Sequence, residues 1–440
     1  MSPPADSKAN SVVIPIAEDE TPPHDEQKQQ PEQRQDYSFV SLLHSLLPLL
    51  PQVNARWLIH GAKVGLALVL VSLLYMLEVV HDRLGDNSMW AVMTVVVVFE
   101  FTAGATIGKG INRGIGTTLG GGLGSLVALL AQEIGGIGKP MVIGISVFIF
   151  CGMATYSRMI PSFKKKYDYG ALIFILTFSL IAVTGIRGDQ ILKIASDRLS
   201  SICMGFAICI VIGLFIFPIW AGDELHNSLA SKFDKLACSI EECLEDNIKP
   251  LDEKKGTQLA NPHSSCIAVL STKSSDETLA NFAKWEPWHG RFGFYYPWNK
   301  YLQIGELLRE LAAYILSLRG CLRSKQQPLK SCAMMDIGDY YKATCVLLAS
   351  TLRELGHNIY DMKRSQQRDS ILAKFEMTRS ELCSTVLVSK LANLMNRSGS
   401  MGGGISSTSI LFLLLEITDK IEEIVKEADE LEKLACFSHT

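Results

Sequence analysis

The sequence predicts an all-α membrane protein: six transmembrane helices followed by a cytosolic helical domain. Three observations carry that reading. From Met89 to Ile107 the chain holds one charge, Glu100, and at ~1.5 Å per residue this run of roughly 19 residues reaches ~28 Å, about one bilayer core. Apolar runs recur through residues 57 to 220, whereas residues 221 to 440 carry charge throughout and have the periodicity of soluble helices. The averages over the chain, 48% hydrophobic, 20% charged and a net charge of -3, conceal this division.

Residues 1–50 read as an N-terminal segment outside the bundle. Its first 37 residues are rich in Pro, Gln, Asp, Glu and Ser and predict disorder without a signal peptide. Phe39 to Leu50 is apolar but too short to span and is cut by Pro48, which suggests an interfacial helix. The membrane domain, residues 51–220, starts with a span from Trp57 to about Val80. A second covers Met89 to Ile107, and a third continues to about Ala131 after a short glycine-rich connection carrying Lys109 and Arg113. The remaining spans run from Pro140 to Tyr156, Tyr169 to Ile186 and Leu199 to Trp220. Gly104 and Gly108 stand four apart, as do Gly116, Gly120 and Gly124, so each set stacks on one helix face. Small residues at that spacing let helices in lipid approach closely.

Connections on the side shared with the termini hold Lys109, Arg113, Arg158, Lys164, Lys165 and Lys166. Those opposite mix Arg83, Lys139, Arg187, Lys193 and Arg198 with acids, which places both termini in the cytosol. Charges at bilayer depth usually face an aqueous path or the interior of a bundle. Here they are mostly basic: Lys63, Lys109, Arg113, Arg158, Arg187 and Arg198. Each taken singly reads equally well as an anchor to lipid headgroups. Together, on four spans, they favour a path for anions, which Lys and Arg concentrate and Arg can grip through two hydrogen bonds. Glu100 is the intramembrane exception, either a counter-ion for one of these cations or the acid of a proton-coupled carrier.

Residues 221–440 form the cytosolic helical domain, with helices near 223–246, 264–284, 300–323, 335–363, 368–397 and 406–435. The run ILFLLLE in the last of these is too short to span and predicts packing within the bundle. Trp285 to Trp298 crowds aromatic rings around turn formers and reads as a structural plug more readily than as a ligand site, with Glu286 and Arg291 placed for a gating contact. The eleven cysteines lack metal-ligand spacing and read as reduced packing residues. There is no nucleophile with a base and no phosphate loop, so neither an enzyme nor a nucleotide site is expected, and the charge balance argues against nucleic acid. No cofactor is implied.

The segments HGAKVGLALVLVSLLY, MWAVMTVVVVFEFTAGATIGKGINRG, KKKYDYGALIFILTF, FPIWAGDELH and KSSDETLANFAKWEPWHGRFGF, in this order over residues 56 to 320, resemble the plant aluminium-activated malate transporter family. The resemblance implies a homodimeric channel, six spans per subunit, with a pore along the subunit interface that passes malate, chloride or nitrate passively. Lys63, Arg113, Arg158 and Arg198 fall on matching basic positions, and Met93 falls on an apolar pore position. Trp285, Glu286 and Pro287 match a motif associated with regulation, and Phe217, Pro218 and Trp220 overlap one associated with aminobutyrate. Aluminium activation in some members involves acids at the outer span ends, where this chain has Asp189 but also Lys193. An ammonium beside a trivalent cation opposes binding, so aluminium is not expected to activate this protein. The expected home is the plasma membrane in preference to the vacuolar membrane. The alternative to a channel is a proton-coupled organic-anion carrier, although no internal repeat of the kind carriers show is visible.

Overall fold

The computed structural model describes residues 55–77, 88–184, 191–248, 263–293, 295–323, 335–365, 368–395 and 403–439. The expectations for residues 1–50, Arg187 and Asp189 lie outside them. Six helices come first: α1 (Ala55–Met76), α2 (Ser88–Val98), α3 (Ala103–Ile134), α4 (Gly138–Met159), α5 (Pro161–Thr184) and α6 (Ile191–Phe215). Among the described residues, five of them are long and apolar enough to cross a bilayer; α2 is apolar but shorter.

The second expected span is corrected. Helix α2 has 11 residues, about 16 Å, and the chain leaves helical geometry at Phe99. It resumes at Ala103 as α3, a helix of 32 residues that runs unbroken through Lys109, Arg113 and the glycines. There is no connecting turn at these two cations. The break falls where side chains can serve the freed backbone groups. The Thr102 hydroxyl accepts from the Ala105 N–H at 3.4 Å, the Thr106 hydroxyl accepts from the Glu100 N–H at 2.9 Å, and the Ala103 N–H donates to the Ile219 carbonyl at 2.9 Å.

The glycines of α3 serve close packing, as their spacing predicts. A methyl on Gly116 would strike the Gly170 carbonyl oxygen of α5, and one on Gly120 would lie 2.8 Å from that of Phe174. At Gly124 the corresponding distance to the Phe178 carbonyl is 3.1 Å. Three positions four apart on α3 thus meet three positions four apart on α5. A four-residue row turns about 40° per step around a helix, so Gly104 and Gly108 face different neighbours, Phe282 and Trp285 of the following domain.

That domain comprises α7 (Ala221–Ile248), α8 (His263–Leu270), α9 (Lys273–Ala283), α10 (Trp298–Arg323), α11 (Met335–Asp361), α12 (Arg368–Met395) and α13 (Gly403–Leu434). Two short parallel strands, β1 (Lys363–Arg364) and β2 (Ser438–His439), tie its end to the α11 terminus. The expected 264–284 helix is divided by a turn at Ser271 and Thr272. Helix α7 buries Leu225, Leu229, Phe233, Leu236, Ile240 and Cys243, a stripe at three- and four-residue intervals. Ile410, Leu411 and Leu414 of α13 enter the same core, so the ILFLLLE run packs inside the bundle. The ten cysteines among the described residues are all free.

The aromatic segment forms the plug expected of it. Phe292, Trp298 and Tyr301 are buried, Tyr296 meets Phe292 edge-on at 4.9 Å, and the Tyr301 hydroxyl lies 2.8 Å from His226 Nδ1. Trp288 and Tyr295 stay outside, exposed to solvent. Burial pushes the Tyr296 hydroxyl up to about 12, so it remains protonated as a hydrogen-bonding group.

Candidate anion site

Helices α3 and α6 pack side by side, with Gly110 pressed against the ring of Phe206. Arg113, ten residues into α3, therefore lies about 15 Å along the helix from its start. It is 4% exposed, and Arg198 on α6 is 2% exposed. They are close enough for the Arg113 charge to act on Arg198, so the two do not lie in connections on opposite sides of the bundle as the sequence suggested. Neither has a carboxylate partner among the described residues. Arg113 Nη1 donates to the Tyr169 hydroxyl at 3.0 Å, and the Arg198 guanidinium lies 3.7 Å from the centre of the Trp90 ring. Arg113 Nε, Arg198 Nε and Arg198 Nη1 are buried with no acceptor. Two like charges, each buried and with unmet donors, are costly unless an anion shares the space.

The remaining basic candidates among the described residues are already engaged. Lys109 forms an ion pair with Glu100, which makes Glu100 a counter-ion in this structure. Arg158 holds Asp168 through two bonds of 2.8 and 3.2 Å. Lys63 donates to the Phe217 carbonyl at 2.7 Å, in a turn where Phe217 takes the left-handed value φ 44°, so it ties α1 to the α6–α7 junction. Met93 is exposed, away from the row Ala91, Thr94, Val95 and Val98 that α2 buries.

A polar row leads away from Arg113. Thr117, Gly121 and Ser125 follow it at four-residue spacing on α3, and the hydroxyls of Thr117, Ser125 and the neighbouring Thr177 of α5 are buried with no acceptor or donor. Over twelve residues this row extends about 18 Å along the helix axis. In an apolar bundle such hydroxyls are left able to bond a polar species.

The second site joins the two halves. Glu286 Oε1 accepts from the Ala221 N–H at 2.6 Å and the Gly104 N–H at 3.3 Å, while Oε2 accepts from the Gly222 N–H at 3.0 Å. One buried carboxylate therefore caps the first turns of both α3 and α7. It does not pair with Arg291, which is exposed. Trp220 stacks on His289 at 3.9 Å beside it, and Gly222 lies against the Trp298 ring. Burial raises the Glu286 carboxyl above the ordinary range, and its N–H donors oppose that shift.

Residues 51–401 match the family model described as aluminium activated malate transporter. The chain belongs to the aluminium-activated malate transporter family. It is 39% identical over 386 residues to aluminum-activated malate transporter 2 of Arabidopsis thaliana, covering 85% of this chain and 75% of that protein. It is 42% identical over 298 residues to Arabidopsis transporter 14, covering 67% and 54%, and 33% identical over 402 residues to transporter 1 of Triticum aestivum, covering 88% and 84%. Membership of this transporter family and its several apolar helices make the chain an integral membrane protein. Arg113, Arg198, the polar row and Trp285-Glu286-Pro287 lie within the matched range.

Reading the sequence alone missed Trp90, Tyr169, Thr117, Ser125 and Thr177. The four-residue spacing of Thr117 and Ser125 from Arg113 was visible in the sequence. Trp90 and Tyr169 come from other helices and have no local signature.

Proposed function

We propose that this member of the family is an anion channel conducting malate and inorganic anions such as chloride or nitrate passively. The single observation that carries this reading is the buried Arg113–Arg198 pair, which lacks any carboxylate among the described residues. Two fixed guanidiniums at bilayer depth attract an anion, and the hydroxyls of Thr117, Ser125 and Thr177 replace part of its hydration as it moves. The names of the relatives support malate as a cargo. The channel acts as a homodimer with the pore along the subunit interface, in the plasma membrane, with both termini and the helical domain in the cytosol. Ile143 is the one buried residue of α4, and α4 and one face of α1 present exposed apolar side chains available to lipid or a second subunit. Lys63 and Arg187 add to the basic potential of the path, Lys109 and Arg158 flank it with charges offset by Glu100 and Asp168, Met93 stands at an apolar constriction, and Trp285, Glu286 and Pro287 couple the helical domain to α3.

The pairing of Glu100 with Lys109 supports a channel over a proton-coupled carrier, since an acid held by a lysine is poorly placed to shuttle protons. Reversal potentials recorded under a malate gradient test this. The malate gradient alone should set them, and a stoichiometric shift when a proton gradient is added would mean coupled transport.

A further inference from the structure

Two cavities meet at Asn112, and neither is lined by Arg113 or Arg198, although the second shares Tyr169 with the arginine site. The first, about 470 Å³, opens between α3, α4 and α5 and is almost wholly apolar, lined by Ile115, Leu119, Phe150, Met153, Phe163 and Phe174 among others. The second, about 370 Å³, lies where α5 begins and α9 ends, and its wall carries Lys109, Lys164, Lys165, Lys166 and Lys284. Its acid, Asp168, is committed to Arg158. Glu100 and Glu277 each hold one lysine, Lys109 and Lys165, so the cup keeps an excess of positive charge. Among the described residues the Lys164 side chain forms no hydrogen bond or ion pair, although its charge reaches Asp168, and Lys166 lies over the rings of Tyr167 and Trp285, 5.2 and 5.8 Å from their centres. The Asn112 side chain donates to the Lys166 carbonyl at 3.0 Å and lines both cavities.

The lysines also stand at an unfavourable place in their helix. They follow Pro161 at the start of α5, where the peptide dipoles favour acids, and that first turn contains none. An anion seated in the cup offsets both the helix dipole and the mutual repulsion of the ammonium groups. An apolar slot between membrane helices that meets a basic cup at Asn112 has the two-part chemistry of one ligand class.

We propose that this composite cavity binds an anionic glycerophospholipid of the phosphoinositide type, with its phosphorylated headgroup among Lys164, Lys166 and Lys284 and an acyl chain between α3, α4 and α5. Because the cup is built partly from α9 and Trp285, an occupied site fastens the helical domain to the membrane helices. The proposal does not depend on which anion the protein conducts.

Binding to the purified full-length protein tests it, using dioctanoyl phosphatidylinositol 4,5-bisphosphate, dioctanoyl phosphatidylcholine and free inositol 1,4,5-trisphosphate as separate probes. The phosphoinositide should bind most tightly. Lys164→Gln with Lys166→Gln should weaken it about thirtyfold, roughly fivefold per lysine. Ala171→Phe, which fills the apolar slot, should weaken the lipid about tenfold or more without altering any residual binding of inositol trisphosphate. Equal binding of phosphatidylcholine, or no change in the lysine variant, would overturn the proposal. Inositol trisphosphate binding as tightly as the lipid would instead assign the cup to a soluble polyanion. That comparison needs only the wild-type protein and decides the matter even if a variant fails to fold.

Discussion

The helical domain and the membrane helices both bury cations, and they treat them in opposite ways. Among the described residues of the domain, the buried Lys232, Arg309 and Arg319 each meet a carboxylate. Asp276, 2% exposed, accepts from Lys232 at 2.5 Å and from Arg309 at 2.9 Å, and Arg368 pairs with both Asp429 and Glu432. In the membrane helices Arg113 and Arg198 are buried as deeply and meet only a phenol and an indole ring. Compensated charges fix a structure, because breaking one pair strands its partner. Uncompensated charges are kept at a cost in stability, which marks them as serving a ligand.

The largest expected effect lies in the compensated region. Asp276→Ala leaves Lys232 and Arg309 facing each other in the core and should cost about 3–5 kcal/mol, read as a loss of thermal stability in the purified protein. Arg198→Gln should behave oppositely, leaving the melting temperature unchanged or higher, because it removes a desolvated charge that no protein group balances. A large loss of stability in that variant would break the contrast.

Next comes the seam that holds α3 and α5 together around Arg113. Gly116→Val forces a side chain onto the Gly170 carbonyl and should cost about 1–3 kcal/mol, with current reduced in parallel. Gly122→Ala, where nothing lies within 4 Å, should be neutral or stabilise by up to about 1 kcal/mol. Equal effects of the two substitutions would mean that the glycines serve flexibility, not packing.

Much of this was legible in the sequence, and the reasons for what was not are local. Glycines four apart announced close packing, and the apolar periodicity of α7 and α13 announced the domain core. The same glycine density suggested a turn at Lys109 and Arg113 because glycine serves both purposes, and only the neighbouring backbone decides which. The true break, at Phe99 to Thr102, was signalled only by Glu100 and the capping residue Thr102 inside an apolar run. Which cations are neutralised was hidden as well. Lys109 finds Glu100 across that break, and Arg158 finds Asp168 across the α4–α5 turn, so neither partner is a helical neighbour in sequence.

A smaller effect is expected at the junction of the two regions. The folded-state carboxyl of Glu286 is raised by burial above the ordinary value of 4.5, so its stabilising contribution is full below about that pH and declines as the pH rises through the raised value. Glu286→Gln removes this dependence. Across mildly acidic pH the wild type should lose thermal stability relative to the variant as the pH rises, and the reverse slope would mean that the three N–H donors outweigh burial. The smallest change is expected from aluminium. Lys193 is exposed at the start of α6, and malate currents should be the same with and without the cation.

The most direct measurement is malate current from Arg113→Gln with Arg198→Gln, normalised to the amount of protein at the cell surface. The uncompensated pair predicts a fall of about tenfold or more with thermal stability retained. Wild-type current in a stably folded double variant would contradict it.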